Sequence, residues 1–551
     1  MPNPRKMLIS QGMSQVLLAS AMNSRDARKQ GGRDARVLER RALQVTDWDR
    51  PRQESGAAAW VALRDLETEL ERRAFAIAQE VSSAEWLFFL RRAPWLFAGH
   101  EPLGSGYLIS IAESISARSQ TESKDSEAAL PLVAYAIEPA LIGSLHRLDG
   151  VSYLLGNVQN VLRCAGKGST IKARITGFPV PLPDPKLDEM TALWDKRMRE
   201  SGFGFLSQAG QYSHKLHAVP DPTDPDVVPL TTRSSKGRFG LSPLPMGALP
   251  SLTDPGLPAD LRFPTDVLDL IAFLISANLF RLVKGDDTTK QIEQFGQSGL
   301  RFVLREQVRT ELALAIEMLR THRLGRCIPE GLDLGTPDEI LSRLTLGEVK
   351  VWPPSMGPAV REAADDVLVE DLWAATHRLE KALARPAEMA GGPYANAWSA
   401  HFESVIQGAT DATAWKASPA IAAFRGRHLR ISGQRIGEID AIGEQSGRLL
   451  LLSCKCIPFS EEWSRGEHSA VRNVASSVDE AVTTWADMVD KVRTTPHGDN
   501  YDFSAFSELI GVVVLPSLPW TANEGSVADV VPGLRAAVNA YELDRWMNTG
   551  R

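Results

Sequence analysis

GEIDAIGEQSGRLLLLSCKC, residues Gly437–Cys456, decides the fold of the C-terminal part of this chain. The first half reads as a strand carrying two acids, Glu438 and Asp440, followed by a polar turn over Gly443 to Gly447. Four leucines then make an apolar strand whose end carries Lys455. Residues two apart in a strand share a face. The spacing therefore sets Ile436, Glu438, Asp440 and Ile442 on one face, and Leu451, Ser453 and Lys455 on the same face of the neighbouring strand. A lysine directly after an apolar run is a poor choice for packing. Two acids and a lysine converging on one sheet face can hold a divalent cation and a phosphate. The competing reading of the same residues is a solvated edge strand with its acids facing water and a lysine snorkelling from a strand end.

The surrounding elements are predicted in a definite order. Trp398–Gly408 reads as a helix containing Glu403. His428–Ile431 and Arg435–Ile442 form a hairpin around Ser432 and Gly433, and Leu449–Cys456 is a third strand. A helix over Ala470–Val492, a buried strand over Glu508–Leu515 and a last helix over Val531–Trp546 follow. In this order and in its GEID strand the chain, from Trp398 onward, resembles the PD-(D/E)xK nuclease superfamily. It is most similar to members in which a G-E-I-D strand precedes an E-x-K strand, as in Holliday-junction-resolvase-like proteins. The resemblance implies a restriction-endonuclease-like domain with an αβββαβ core. It implies that Asp440 binds metal and Lys455 is the catalytic lysine. Glu403 would be the acid of the first helix, and Glu438 the acid two residues before the aspartate. The backbone carbonyl of Cys454 would be a further metal ligand. Ser453 stands where the family usually has Asp or Glu, and a hydroxyl is a neutral, weaker ligand for a hard cation. The implied cofactor is Mg2+ or Mn2+, and the implied reaction is hydrolysis of nucleic-acid phosphodiesters, with DNA preferred over RNA. The alternative is a degenerate nuclease fold serving as a nucleic-acid-binding or assembly module, which Ser453 favours.

The whole chain sets wider bounds. Its 551 residues exceed one core, so two to four domains are expected. A hydrophobic share of 43% allows those cores to be buried, and a net charge of −7 excludes an overall basic nucleic-acid coat. Contacts to phosphate must then come from local patches. Arg425, Arg427, His428, Arg430 and Arg435 form such a patch beside the GEID strand. The four arginines are the expected nucleic-acid contacts, holding the backbone without reading bases. Equally, they suit a charged hairpin edge guarded against aggregation. Four scattered cysteines exclude a disulfide framework, and Cys454 and Cys456 lack partners at zinc spacing. The start of the chain has no signal-peptide pattern, and Val267–Val283 contains Asp269, Asn278 and Arg281, so no membrane span is expected and the location is cytoplasmic. The stretch from Ala165 to Thr170 lacks the first glycine of a phosphate-binding loop, because Val161 stands there.

Ahead of the C-terminal domain the chain reads as mainly helical. Residues 1–44 form a basic arm, and 45–176 a mainly helical domain with a helix over Ala57–Glu80 and another from Trp86 after the capping pattern at Ser82. Proline-dense loops or linkers occupy 177–264, including the basic loop around Arg233, Lys236 and Arg238. A helical domain spans 265–390, with apolar stripes over Leu300–Leu319 and Asp366–Ala384 and a short strand at Glu348–Trp352. The nuclease-like domain is 391–551. The expected fold class is therefore multidomain α/β: a mainly α-helical N-terminal region and a C-terminal αβββαβ domain. A large accessory region suits protein partners, targeting or regulation, as in restriction or anti-phage defence.

Overall fold

The computed structural model describes residues 7–10, 25–92, 105–121, 126–129, 132–137, 139–174, 177–201, 227–233, 239–245, 264–279, 295–296, 298–321, 332–346, 357–364, 366–388, 392–457 and 460–550. The fold is mixed α/β, and no described helix is long and apolar enough to cross a membrane. The chain forms two compact units, each assembled from separated segments. The expected strand at Glu348–Trp352 and most of the basic loop after Arg233 lie outside the described residues.

Unit 1 comprises residues 1–165, 170–182 and 209–383. After a strand at Met7–Ser10 its helices begin with α1 (Arg25–Val45), α2 (Gly56–Ala78), α3 (Ser83–Arg92), α4 (Ser105–Ser116) and α5 (Pro139–Gly166). Within the expected basic arm, Met7–Ser10 is a strand and Arg25 onward is α1, whose Ala42 and Leu43 lie in the unit core with Trp48. The chain then gives α6 (Pro185–Ser201) to unit 2 and returns to unit 1 with α7 (Thr265–Asn278). The stretch expected to be linker thus contains a helix, and also an antiparallel hairpin of Val227–Arg233 with Phe239–Pro245. Strand β1 (Leu300–Leu304) and helix α8 (Arg305–Thr321) divide the predicted helical stripe of Leu300–Leu319 between two elements. Helix α9 (Pro337–Thr345), strands β2 (Val360–Ala364) and β3 (Val367–Asp371), and helix α10 (Leu372–Glu388) complete this part. β3 lies between β2 and β1 in an antiparallel sheet. Phe302, Val367 and Val369 of that sheet share one core with α2, α3 and α5, so the two expected helical domains are a single unit.

That core contains paired charges. Arg91 bonds Glu113 at 2.5 Å and Asp371 at 3.2 Å, and Arg301 pairs with both Glu311 and Glu370. Arg91, Arg301, Glu113, Glu370 and Asp371 are all almost fully buried. A buried ion survives only where its partners replace water. Loss of one partner from such a network leaves a stranded charge.

Unit 2 comprises 166–169, 183–208 and 384–551. After α11 (Gly392–Asp411) come β4 (His428–Ile431), β5 (Gln434–Glu438), β6 (Ala441–Gln445) and β7 (Arg448–Cys454). Helix α12 (His468–Thr494), strand β8 (Glu508–Leu515), strand β9 (Ala537–Asn539) and helix α13 (Ala540–Thr549) follow. The central sheet has the order β6-β7-β8-β9, with β6 antiparallel to β7 and the other two pairs parallel. Both faces are covered. Leu449, Leu451 and Val513 pack under α12, while Leu450, Leu452, Val512 and Val514 pack under α11 and α13. This is why the leucine run is continuous and not alternating. The predicted last helix over Val531–Trp546 is correct only from Ala540; its first part is β9 and a short strand pair ending at Arg535. Helix α6 adds Trp194 and Met198 to a cluster with Trp463, Val471, Leu518 and Trp520. Arg197 of α6 donates to Glu542 at 2.8 and 2.7 Å and to the Ala537 carbonyl at 2.7 Å.

Candidate functional site

The predicted single strand from Arg435 to Ile442 is broken at Ile439 and Asp440. Among the described residues β5 pairs only with β4, and β6 pairs with β7. Ile439 and Ile442 lie in one core cluster while Ala441 lies in the other, so the expected alternation of Ile436, Glu438, Asp440 and Ile442 is interrupted. The break frees Asp440 from strand geometry at the end of β7. Its amide still donates to Leu452 at 3.2 Å, and the amide of Gly426 donates to the Ile439 carbonyl at 2.8 Å.

Asp440 is the centre of the site. Its Oδ2 accepts from the Cys454 amide at 2.6 Å and from the Ser453 hydroxyl at 3.3 Å, and it lies 3.9 Å from Lys455 Nζ. Ser453 is buried, so its hydroxyl serves the aspartate and not solvent. The contact at Cys454 is made through its amide. Lys455 is 48% exposed and Asp440 12%, which places a solvent-facing cation beside a nearly covered anion. Burial pushes the Asp440 carboxyl above its usual range, although Lys455, the Cys454 amide and Ser453 favour the ionised form. Glu403 is raised as well, first by burial and then by the charges of Asp440 and Glu438, with Lys455 opposing.

Glu403 therefore lies in the field of both strand acids, as its place on the first helix predicts. Sequence reasoning passed over Gln407, one turn further along α11. Its amide accepts from the Ile442 amide at 2.8 Å and donates to the Ile442 carbonyl at 3.0 Å. This clamp fixes α11 against β6, and the i, i+4 spacing puts Glu403 on the same side of the helix. Glu438 sits opposite His428 across the β4–β5 pair, with His428 Nε2 3.3 Å from its carboxylate. Burial raises the Cys456 thiol to about 11 and holds the Cys454 thiol well above its ordinary value.

Of the four arginines, Arg425 is spent on Asp411, bonding both carboxylate oxygens at 3.0 and 2.9 Å. It is not an open phosphate contact. Arg427, Arg430 and Arg435 are exposed and have no carboxylate partner among the described residues. Arg430 faces Arg435 directly across the hairpin. Like charges in that position are unfavourable, and the hairpin is held despite them. Asp499 accepts from the amides of Ser432 and Gly433 at 3.1 and 2.6 Å, locking a turn in which both residues have positive φ. Asn500 bonds the backbone of both Arg430 and His428 at 2.9 Å.

A hard cation suits the chemistry of this donor set, since Glu403, Glu438 and Asp440 offer carboxylate oxygens and Mg2+ needs only one or two of them beside water and phosphate. Two raised carboxyls in one field are also what a cation would relieve. Among the described residues, no three His, Cys, Asp or Glu side chains stand close enough to form a metal-binding group as they are. Comparison with known proteins finds no matching family model, curated protein or solved structure.

Proposed function

We propose that unit 2 is a metal-dependent nuclease domain of the restriction-endonuclease-like kind, hydrolysing phosphodiesters of nucleic acid, with DNA the preferred substrate. The observation that carries this reading is the meeting of Asp440 and Lys455 at 3.9 Å, with Glu403 in the field of the same aspartate. Asp440 and Glu403 would hold Mg2+ or Mn2+, with Glu438 beside them. When bound, the ion would supply charge neutralisation at the phosphate and acidify a water. Lys455, solvent-facing and cationic, would hold the non-bridging phosphate oxygens and steady the negative charge that grows on them. The Cys454 amide and the Ser453 hydroxyl fix the orientation of Asp440. Arg427, Arg430 and Arg435 would hold the nucleic-acid backbone through charge alone, so that binding weakens with salt.

A second reading, a nucleic-acid-binding module without catalysis, is favoured by Ser453 at the position where a carboxylate is expected. The test is incubation of the full chain with plasmid DNA and with RNA, in Mg2+, Mn2+ or EDTA, beside Asp440→Ala and Lys455→Ala. The expected result is metal-dependent cleavage reduced by about 100-fold or more in each variant. Nucleic-acid binding without cleavage in any metal would discard the enzyme and leave the module. Ser453→Glu should tighten Mn2+ binding if that side chain is close enough to share the ion.

A further inference from the structure

Arg425 stands beside the site without being an open phosphate contact. We propose that it is a positioning residue: through Asp411 it holds α11, and Glu403 with it, in the place relative to Asp440 that a shared cation requires. The proposal rests on unit 2 being a metal-dependent nuclease, and it adds the means by which the helix acid and the strand acid are brought into register.

Asp440 is tied on both sides. The carbonyl of Ile439, the residue before it, accepts from the Gly426 amide at 2.8 Å. Gly426 aims that amide from a φ of 65°, in the left-handed region that favours glycine. Ile442, two residues after Asp440, is held at 2.8 and 3.0 Å by the side-chain amide of Gln407. The two ties are joined to each other. Gln407 Nε2 also donates to Asp411 Oδ1 at 2.9 Å. Arg425, next to Gly426, donates from Nη2 to both Asp411 oxygens at 3.0 and 2.9 Å. The contacts thus close a ring, from Ile439 through Gly426, Arg425, Asp411 and Gln407 to Ile442, and Asp440 lies on the short arc of chain that completes it. Glu403, Gln407 and Asp411 follow at four-residue spacing along one side of α11, so the ring also sets how that helix is turned and how far it stands from the break.

Such a ring matters more for geometry than for stability. The Arg425–Asp411 pair is partly exposed, and pairs of that kind contribute little to the folded state. Groups that share a cation must be held to about 0.5 Å, and a displacement of about 1 Å can cost on the order of 100-fold in rate. Only Nη2 of Arg425 reaches Asp411, so the point donor of a lysine can take over the contact.

The experiment measures Mn2+ affinity by electron paramagnetic resonance and cleavage of plasmid DNA in Mg2+, on the full chain and on its Arg425→Gln, Arg425→Lys and Asp411→Ala variants. Charge alone predicts opposite effects on the metal. Loss of the Arg425 cation would tighten Mn2+ binding, and loss of the Asp411 anion would loosen it. Positioning predicts that Arg425→Gln and Asp411→Ala both loosen Mn2+ and lower kcat by about tenfold or more, with KM and the salt dependence of DNA binding as in the parent. Arg425→Lys should recover most of both losses, and all variants should unfold cooperatively near the parent midpoint. The double variant should be no worse than either single one, because both changes break the same link. The proposal is overturned if Mn2+ affinity and kcat stay at the parent values, if the two single variants shift Mn2+ affinity in opposite directions, or if Arg425→Gln raises KM and flattens the salt dependence instead. Those outcomes leave the nuclease standing. A parent that binds no Mn2+ and cleaves neither DNA nor RNA would sink the nuclease itself, and the positioning role with it. In a chain that binds Mn2+ without cleaving, the Mn2+ affinities decide alone.

Discussion

Asp440 and Glu403 hold their protons more tightly than isolated carboxyls because both are partly desolvated, and because Glu403 feels the charges of Asp440 and Glu438. The sign of the consequence is fixed. An acid whose pKa is higher in the folded state binds more protons folded than unfolded, so stability falls as pH rises from the unfolded value through the folded one. For these groups the window opens at the ordinary values of 3.8 and 4.5 and extends upward. Glu403→Gln removes one of the two titrations. Its stability advantage over the parent chain should therefore be absent below the ordinary carboxyl value of 4.5 and grow as pH rises above it, as read by urea denaturation without metal. A cation competes with the same protons. The rise in melting temperature on adding Mg2+ should accordingly be larger at pH 8 than at pH 5 in the parent and smaller in Glu403→Gln. A gain that does not change with pH would show that Glu403 is outside the field of the strand acids.

At the scale of elements, helix α12 lies close to two glycines, Gly511 in the central sheet and Gly437 in the β4–β5 hairpin. A Cβ on Gly511 of β8 would stand 2.3 Å from Val489 Cγ2, and one on Gly437 of β5 would stand 2.7 Å from Met488 Cγ. Val489 is branched at Cβ and cannot turn aside, whereas the Met488 chain can. Gly511→Ala should thus cost about 1–3 kcal/mol in a denaturant titration, and Gly437→Ala distinctly less. Equal costs would mean that the helix and not the side chains sets the spacing. The same closeness shows what could and could not be read in advance. Strands β7 and β8 were legible because a short apolar run with both faces buried has few other solutions. The LRFVL segment of Leu300–Leu304 and the VLVED segment of Val367–Asp371 continue the apolar stripes of the helices that follow them, so periodicity merged strand and helix into one. The break at Ile439 and Asp440 was hidden for another reason. It depends on pairing with β4 and on the Gly426 contact, which only the folded chain brings together. The nearness of Asp440 and Lys455 is expected from a shared strand face, but it arises at the break before β6 and just past the end of β7. The loss of Arg425 to Asp411, 14 residues earlier, left no mark in local sequence.

At the scale of the molecule, unit 2 cannot be cut out where composition changes. The Gly-Gly-Pro at 391–393 looks like a domain start, but α6, nearly two hundred residues earlier, supplies part of the core. The indole of Trp194 donates to the Leu518 carbonyl at 2.8 Å and packs edge-on against Trp463 at 6.0 Å, with Lys167 lying 4.4 Å over its ring. Removing α6 would uncover Trp463, Leu518 and Trp520 together and strip Glu542 of Arg197. A fragment of residues 391–551 should consequently expose a contiguous apolar patch, bind a hydrophobic dye and aggregate. Restoring residues 183–208, as a separate peptide or through a short flexible linker, should return it to a soluble monomer with cooperative unfolding. In the full chain, Trp194→Ala should lower the stability of unit 2 by about 3–5 kcal/mol, the usual cost of deleting a buried tryptophan. The penalty should show as a shifted unfolding transition in calorimetry, with the transition of unit 1 unmoved. A 391–551 fragment that is soluble and unfolds cooperatively on its own would mean that α6 is attached to a finished domain and is not one of its parts.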